Sequence, residues 1–144
     1  MEDRYLYRAK RTDNGEWVEG FYVNAIEEHG NGERTAEIVA LDAMRTFDGI
    51  SPTLMVDPST ICQCTGLKDK NGKLIWENDI CDRKNEYPEI VKYHDGDWTL
   101  DYSYASNKES GFNYCNLGFY VRERKCVEVI GNIFDNLELL EVGE

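Results

Sequence analysis

The sequence predicts a mainly β fold, a small, partly open β-barrel or sandwich built from hairpins, with little helix. Each of its three tryptophans, Trp17, Trp76 and Trp98, follows an Asn-Gly or Asp-Gly pair within four residues. These pairs accept the positive φ of tight hairpin turns, and large aromatic side chains favour half-buried strand positions. In addition, apolar runs are short and lie between turn residues, whereas helix-period patterns are scarce.

Each tryptophan marks the return strand of a predicted hairpin. Because the turn pair comes before the aromatic residue, the outgoing strand is the apolar run that precedes the pair. The predicted strand pairs are residues 5–10 with 16–23, 67–69 with 73–76, and 90–93 with 98–102.

The rest of the chain gives weaker signals. Residues 117–121 and 126–130 are predicted strands on either side of a polar turn, and residues 135–140 suit a short helical turn capped by Asp135. Residues 34–44 fit either a helix or a buried strand, because periodicity does not separate the two in a short apolar run. Glycine and polar residues predict loops at 29–32 and 103–113.

Length and composition favour one folded cytosolic domain. The 144 residues are 41% hydrophobic and suffice for a sizeable core. We expect a single domain over 1–144, with residues 1–60 forming an N-terminal hairpin and variable segment and residues 61–144 the barrel-like core. No apolar run approaches the roughly 18 residues of a membrane span, and residues 1–11 resemble no secretory signal. Five scattered cysteines, an odd number, fit a reducing compartment.

The net charge of −12 argues against direct binding to a nucleic acid, which needs clustered Lys and Arg side chains to neutralise phosphates. The two local basic clusters are interpreted as solvated strand faces or turns. Dispersed carboxylates also leave open an acidic mimic of nucleic acid. The basic clusters are Arg8-Lys10-Arg11 and Arg122-Arg124-Lys125.

The segment 65–80, TGLKDKNGKLIWENDI, has the glycines of a phosphate loop but not its spacing. That loop needs four residues between its glycines and then Lys-Ser/Thr before a helix. Here five residues separate Gly66 from Gly72, Lys73 is followed by Leu74, and the flanks suggest strands. A calcium loop also fails, because its first ligand position would be Leu67 and its last Asn78.

A hairpin with two bends explains the same segment. Residues 70–72 turn, with Asn71 or Gly72 in the left-handed conformation. Glu77-Asn78 makes a second bend, where the Asp79 carboxylate is expected to accept backbone N–H groups.

Side chains that could carry chemistry have ordinary structural explanations. Cys62 and Cys64 are one residue apart, which is closer than paired zinc ligands usually are, and on a strand they share one buried face. Glu77 and Asp79 are expected to act in turn capping and solvation. Neither a Gly-x-Ser-x-Gly elbow nor a supported Cys–His pair is present, so the sequence predicts no catalytic residue, no metal site and no cofactor.

The segment 65–80 resembles the central motif of the YopX-like family of phage and prophage proteins, T-G-L-K-D-K-N-G-K-x-I-aromatic-E-G-D-I. Other segments are similar to the family as well. They are TICQC at 60–64, directly before the motif, VIGNIF at 129–134, and YRAK, NGEWV and GFY near the start. Asn78 stands where the family commonly has Gly, but Asn tolerates left-handed backbone best after Gly. The motif residues taken as a structural turn are Thr65, Gly66, Leu67, Asp69, Asn71, Gly72, Trp76, Glu77, Asp79 and Ile80.

The resemblance implies a small all-β, phage-encoded protein of the bacterial cytoplasm, brings no catalytic residues with it, and leaves binding residues unknown. We expect a non-enzymatic accessory protein that acts through protein contacts, with a second copy or a host or phage protein as partner and with no membrane contact. Two alternatives stay open. One is a metal-dependent enzyme that uses the Glu77/Asp79 bend or the cysteines, and the other is an acidic mimic that blocks a host DNA-binding protein.

Overall fold

A computed structural model of the chain describes residues 3–26, 34–40, 53–105 and 114–141. The chain divides into two compact units, Met1–Cys64 and Thr65–Glu144, and each is described by itself. The predicted loop at 29–32, residues 41–44 and residues 106–113 lie outside the described residues.

The first unit is an antiparallel sheet with the strand order β4-β3-β2-β1-β5. The first predicted hairpin is confirmed, since Lys10 pairs with Trp17 and Gly15 has φ of 72° in the turn. Residues 34–44 fitted either a helix or a buried strand, and the described part, residues 34–40, is a strand. The strands are β1 (Tyr7–Lys10), β2 (Trp17–Ile26), β3 (Arg34–Ala40), β4 (Thr53–Met55) and β5 (Cys62–Lys68), and 3₁₀ turns lie at Asp3–Tyr5 and Pro58–Thr60.

Buried side chains and one close backbone contact hold this sheet together. Ala9, Ile38 and Val56 form its buried cluster. Gly20 of β2 lies so close to β3 that an added Cβ would be 1.9 Å from the carbonyl oxygen of Val39. Only glycine fits here, because the obstacle is backbone and cannot turn aside as a side chain can.

The second unit contains the end of β5, its neighbour β6, and a five-stranded antiparallel sheet with the order β10-β9-β8-β7-β11. The third predicted hairpin is confirmed, because Tyr93 pairs with Trp98 and the turn residues Asp95 and Gly96 have φ of 47° and 92°. The strands are β6 (Leu74–Trp76), β7 (Asp79–Asp82), β8 (Glu89–His94), β9 (Asp97–Asp101), β10 (Tyr114–Asn116) and β11 (Glu128–Asn132).

The predicted strand at 117–121 is wrong, because this segment is helical. Helix α1 (Leu117–Phe119) continues as a π-helical segment, Tyr120–Arg124. The Asn116 side chain accepts the Phe119 N–H at 2.8 Å and so caps the helix. Leu117, Tyr120 and Val121 pack on the core of this unit, at a spacing that is helical.

The core of the second unit is a cluster of six buried residues to which strands and helix both contribute. Its members are Ile75, Cys81, Val91, Leu100, Leu117 and Val127. Strand β11 follows directly after Val127 and begins at Glu128, two residues later than the predicted strand.

The predicted C-terminal helical turn is confirmed as a 3₁₀ turn, Leu137–Leu140, but Asp135 does not cap it. The residue before the turn is Asn136, and Asp135 instead accepts the side-chain N–H of Asn132 at 3.1 Å. The position before the turn suggested Asp135 as the cap, but its carboxylate bonds the Asn132 carboxamide three residues earlier.

The mainly β fold class is therefore confirmed. The described strands form two open antiparallel sheets rather than a closed barrel. No helix among the described residues is long and apolar enough to span a membrane.

Candidate functional site

The Asp69 carboxylate organises the turn at the centre of residues 65–80. One of its oxygens accepts the backbone N–H groups of Asn71 and Lys73, each at 2.9 Å. The other oxygen accepts the N–H of Val129 in β11, also at 2.9 Å. Gly72 has φ of 83°, which confirms the left-handed turn that the sequence predicted. Burial opposes ionisation, but the three N–H donors hold the pKa of Asp69 below its usual value.

Thr65 and Gly66 shape the strand that leads into this turn. The Thr65 hydroxyl donates to the Ile75 carbonyl at 2.7 Å and accepts the N–H of Leu67 at 3.1 Å. Gly66 has φ of 79°, a backbone conformation that side-chain-bearing residues seldom adopt. These contacts bind β5 to β6, so both residues act in the structure of the hairpin.

The second bend forms as predicted. Asn78 has φ of 69°, so asparagine does provide the left-handed conformation at this position. The buried Asp79 side chain accepts the Trp76 N–H at 2.8 Å. Asn78 also donates its N–H to Val91 and accepts the N–H of Ile133. Glu77, by contrast, is half-buried in the bend.

The closing segment has an equally structural explanation. The Asn132 side chain accepts the N–H groups of Phe134 and Asp135, each at 2.9 Å. An added Cβ on Gly131 would lie 2.6 Å from the Asn136 side-chain oxygen. The residues that carry the family resemblance therefore build turns and strand contacts.

The cysteines are dispersed over the fold. Cys62 and Cys64 are both buried, which confirms the predicted stripe, and all five cysteines are free thiols. Within the described ranges, no group of three or more His, Cys, Asp or Glu side chains is arranged to hold a metal ion.

Glu89 is a fully buried acid on β8 with an elaborate set of partners. It accepts from the Arg83 guanidinium at 2.5 Å and from the Asn85 side chain at 3.2 Å, and the Cys115 thiol lies 3.6 Å away. Arg83 in turn stacks over the Tyr120 ring at 4.3 Å. Burial raises the pKa of Glu89, and Arg83 offsets this only in part.

The same environment makes Cys115 a poor nucleophile. Burial, followed by the nearby Glu89 charge, raises the pKa of the Cys115 thiol to about 12. A thiol must ionise to attack, so the pair Glu89–Cys115 lacks the activated thiolate that cysteine chemistry needs.

His94, Asp101 and Ser103 lie together but do not form a catalytic triad. Asp101 accepts the Ser103 N–H and bonds the His94 ring, both at 2.8 Å. Burial acts to raise the pKa of Asp101, but these hydrogen bonds outweigh it and the pKa is lowered. In a triad the histidine lies between the acid and the hydroxyl, whereas here the acid lies between the other two. The His94 ring stacks on Tyr114 of β10, 4.6 Å between centroids, which fits a role in holding that short strand.

An open groove of about 370 Å³ is a further candidate. Its size falls within the range of small-molecule and side-chain binding pockets. The lining comes from β5, the start of β9, the end of β10, α1 and the following π-helical segment. The lining residues are Thr65, Leu67, Asp97, Trp98, Asn116, Gly118, Phe119, Arg122 and Glu123. We call it the aromatic groove.

Two aromatic rings and three charges distinguish the aromatic groove. Trp98 packs at the rim of the buried core, and Phe119 is 45% exposed. Asp97 and Glu123 are exposed, and among the residues that the structure describes neither has an ion-pair partner. Arg122 is the one basic residue among the described residues of the lining. The groove therefore combines apolar surface with a small excess of negative charge.

The aromatic groove has no local signature in the sequence. Its lining comes from segments around residues 65–67, 97–98 and 116–123, which only the fold brings together. The available signal was the helical spacing of Leu117, Tyr120 and Val121, which would have turned Phe119 and Arg122 away from the core.

Comparison with known proteins supports the family resemblance of residues 65–80. The chain is similar to protein EF1440 from Enterococcus faecalis, whose crystal structure matches with 26% identity and a TM-score of 0.50, over 94% of this chain and 96% of that one. Comparison with curated proteins finds no match. The model of the family described as YopX protein matches residues 6–141. Since that match covers nearly the whole length, the chain belongs to the YopX family.

Proposed function

We propose that this protein is a non-catalytic accessory protein of phage or prophage origin. In this proposal it works in the bacterial cytoplasm through protein contacts, including self-association, and the aromatic groove is its contact surface. The observation that carries the proposal is the exposure of Phe119 at a groove whose other aromatic wall is Trp98. Exposed aromatic side chains are enriched at protein interfaces, where they contribute much of the binding energy.

The chemistry of the other sites supports binding over catalysis. The Asp69 and Asp79 carboxylates are used by backbone N–H groups, and the Cys115 thiol is held protonated. Asp101 lies between His94 and Ser103, whereas a catalytic triad has the histidine in the middle. Each chemistry-bearing cluster thus has a structural use that accounts for its contacts.

Light scattering after size exclusion, combined with capture of partners from a host lysate, tests the proposal. We expect wild-type protein either to self-associate at micromolar concentration or to retain a discrete partner, and Phe119→Ser to lose that interaction. Leu137→Ser is the matched control, because Leu137 is a still more exposed apolar residue of the same unit, outside the groove lining. A monomer without partners, or an interaction that Phe119→Ser leaves intact, would rule out this contact surface.

A further inference from the structure

We infer that the aromatic groove binds a cationic side chain, the guanidinium or ammonium group of a basic segment in a partner protein. This inference rests on the proposed function and specifies the chemistry of the partner.

The aromatic groove pairs aromatic rings with carboxylates. A cation gains from the negative face of an aromatic ring and from nearby carboxylates at the same time. Trp98 and Phe119 supply rings, and the exposed Asp97 and Glu123 supply charge without an ion-pair partner among the described residues. Among the described charged residues of the lining, two are acidic and one is basic, so the lining itself favours a cation.

The protein already places a guanidinium on the Phe119 ring. Arg124, which is not part of the groove lining, lies over Phe119 with its guanidinium carbon 5.7 Å from the ring centroid. This distance is within the range of a favourable cation–π contact. The Phe119 ring therefore suits a cation, and a partner side chain would share the ring with Arg124 or displace it.

Charge complementarity also acts over longer range. The chain carries a net charge of −12, so a basic segment is attracted before it makes contact. The groove volume of about 370 Å³ admits one long side chain together with its backbone neighbours.

The test is an NMR titration of the full-length protein with acetylated Gly-Arg-Gly-Arg-Gly amide. We expect saturable shifts of the Trp98 indole N–H and the Gly118 backbone N–H. Peptides with Leu or Glu in place of Arg should leave both signals nearly unmoved. Equal shifts with the Leu peptide would overturn the cation inference while leaving a protein-binding groove in place. Shifts spread evenly over the acidic surface, or none at these two positions, would also overturn it.

Removing an acidic or a basic side chain from the groove should change the affinity for the Arg peptide in opposite directions. Glu123→Gln should weaken binding of the Arg peptide about two- to fivefold, and Arg122→Gln should strengthen it by a similar factor. Glu138→Gln and Lys125→Gln are the matched controls, since they make the same charge changes outside the groove lining. Phe119→Leu should weaken binding and Phe119→Tyr should preserve it. If the groove variants and their controls change the affinity equally, only the net charge matters and the site is refuted.

Discussion

One carboxylate oxygen of Asp69 accepts the backbone N–H of Val129 at 2.9 Å, and this bond ties the central hairpin to the last strand of the second unit. Lys70 reinforces the connection, because its N–H donates to Val127 and its ammonium group lies 3.3 Å from the Glu128 carboxylate. The central motif therefore stabilises a long-range contact as well as its own turn.

Asp69→Asn should destabilise the second unit by about 1–3 kcal/mol, because the carboxamide has one accepting oxygen and would point its NH₂ group at an N–H donor. Urea unfolding at pH 7 measures the loss. Glu138→Gln, an exposed acid with no comparable set of donors, is the control and should stay close to wild type. A loss for Asp69→Asn no larger than that of the control would refute this role.

The same carboxylate should contribute to acid sensitivity. Its pKa is lowered in the folded state, so its stabilisation is present above the unfolded pKa. That stabilisation is lost as the pH falls below about 3.9 and through the folded pKa. The stability difference between wild type and Asp69→Asn should therefore shrink between pH 5 and pH 2. A difference independent of pH would contradict this assignment.

Glu89 should act with the opposite sign. Its pKa is raised by burial, so the folded state holds the proton more tightly than the unfolded chain does. Its contribution to stability is then greatest below the unfolded pKa of about 4.3 and falls as the pH rises through the folded pKa. Glu89→Gln keeps an acceptor for Arg83 and removes this titration. Melting temperatures of both proteins, measured from pH 4 to pH 8, should show wild type gaining stability relative to Glu89→Gln as the pH falls. Parallel profiles would exclude the effect.

Gly20→Ala should be severely destabilising, with a loss of about 3 kcal/mol or more, because the new Cβ would collide with the Val39 carbonyl oxygen in the middle of the sheet. Circular dichroism during thermal unfolding measures the loss. Gly118→Ala is the control, since the atom nearest its Cβ would be 3.3 Å away and belongs to a side chain, that of Asn116. Equal stability of the two variants would mean that β2 and β3 separate at little cost.

Cys115 should alkylate slowly in the native protein at pH 8, because a thiol with a pKa of about 12 is almost entirely protonated there. Mass spectrometry after timed iodoacetamide treatment measures its labelling. Glu89→Gln removes a negative charge beside the thiol and should speed the reaction, whereas Glu138→Gln should not. Rapid labelling of Cys115 in wild type would contradict the buried environment assigned to it.

Local turn chemistry made the hairpins predictable. The positive φ at Gly72, Asn78 and Gly96 follows from residue type, and so does the carboxylate of Asp79 at its bend. The partner of Asp69 was not predictable, because Val129 is 60 residues away and no local pattern connects them. Helix α1 was missed because Leu117–Val121 also fits an apolar strand, and the cap supplied by Asn116 decided the outcome. The aromatic groove depends on that helix and was missed with it.

The pairing of β7 with β11 has a consequence for synthesis on the ribosome. Residues 1–64 can complete their own sheet as a contiguous length of nascent chain. Strand β7, in contrast, pairs with β11 through Asp82 and Glu128, and at about 5–20 residues per second the intervening chain takes roughly two to nine seconds to translate. During that interval the edge of β7, with Ile80 and Cys81, is open to strands of other chains. This edge can therefore be closed only late in translation, once β11 has been made.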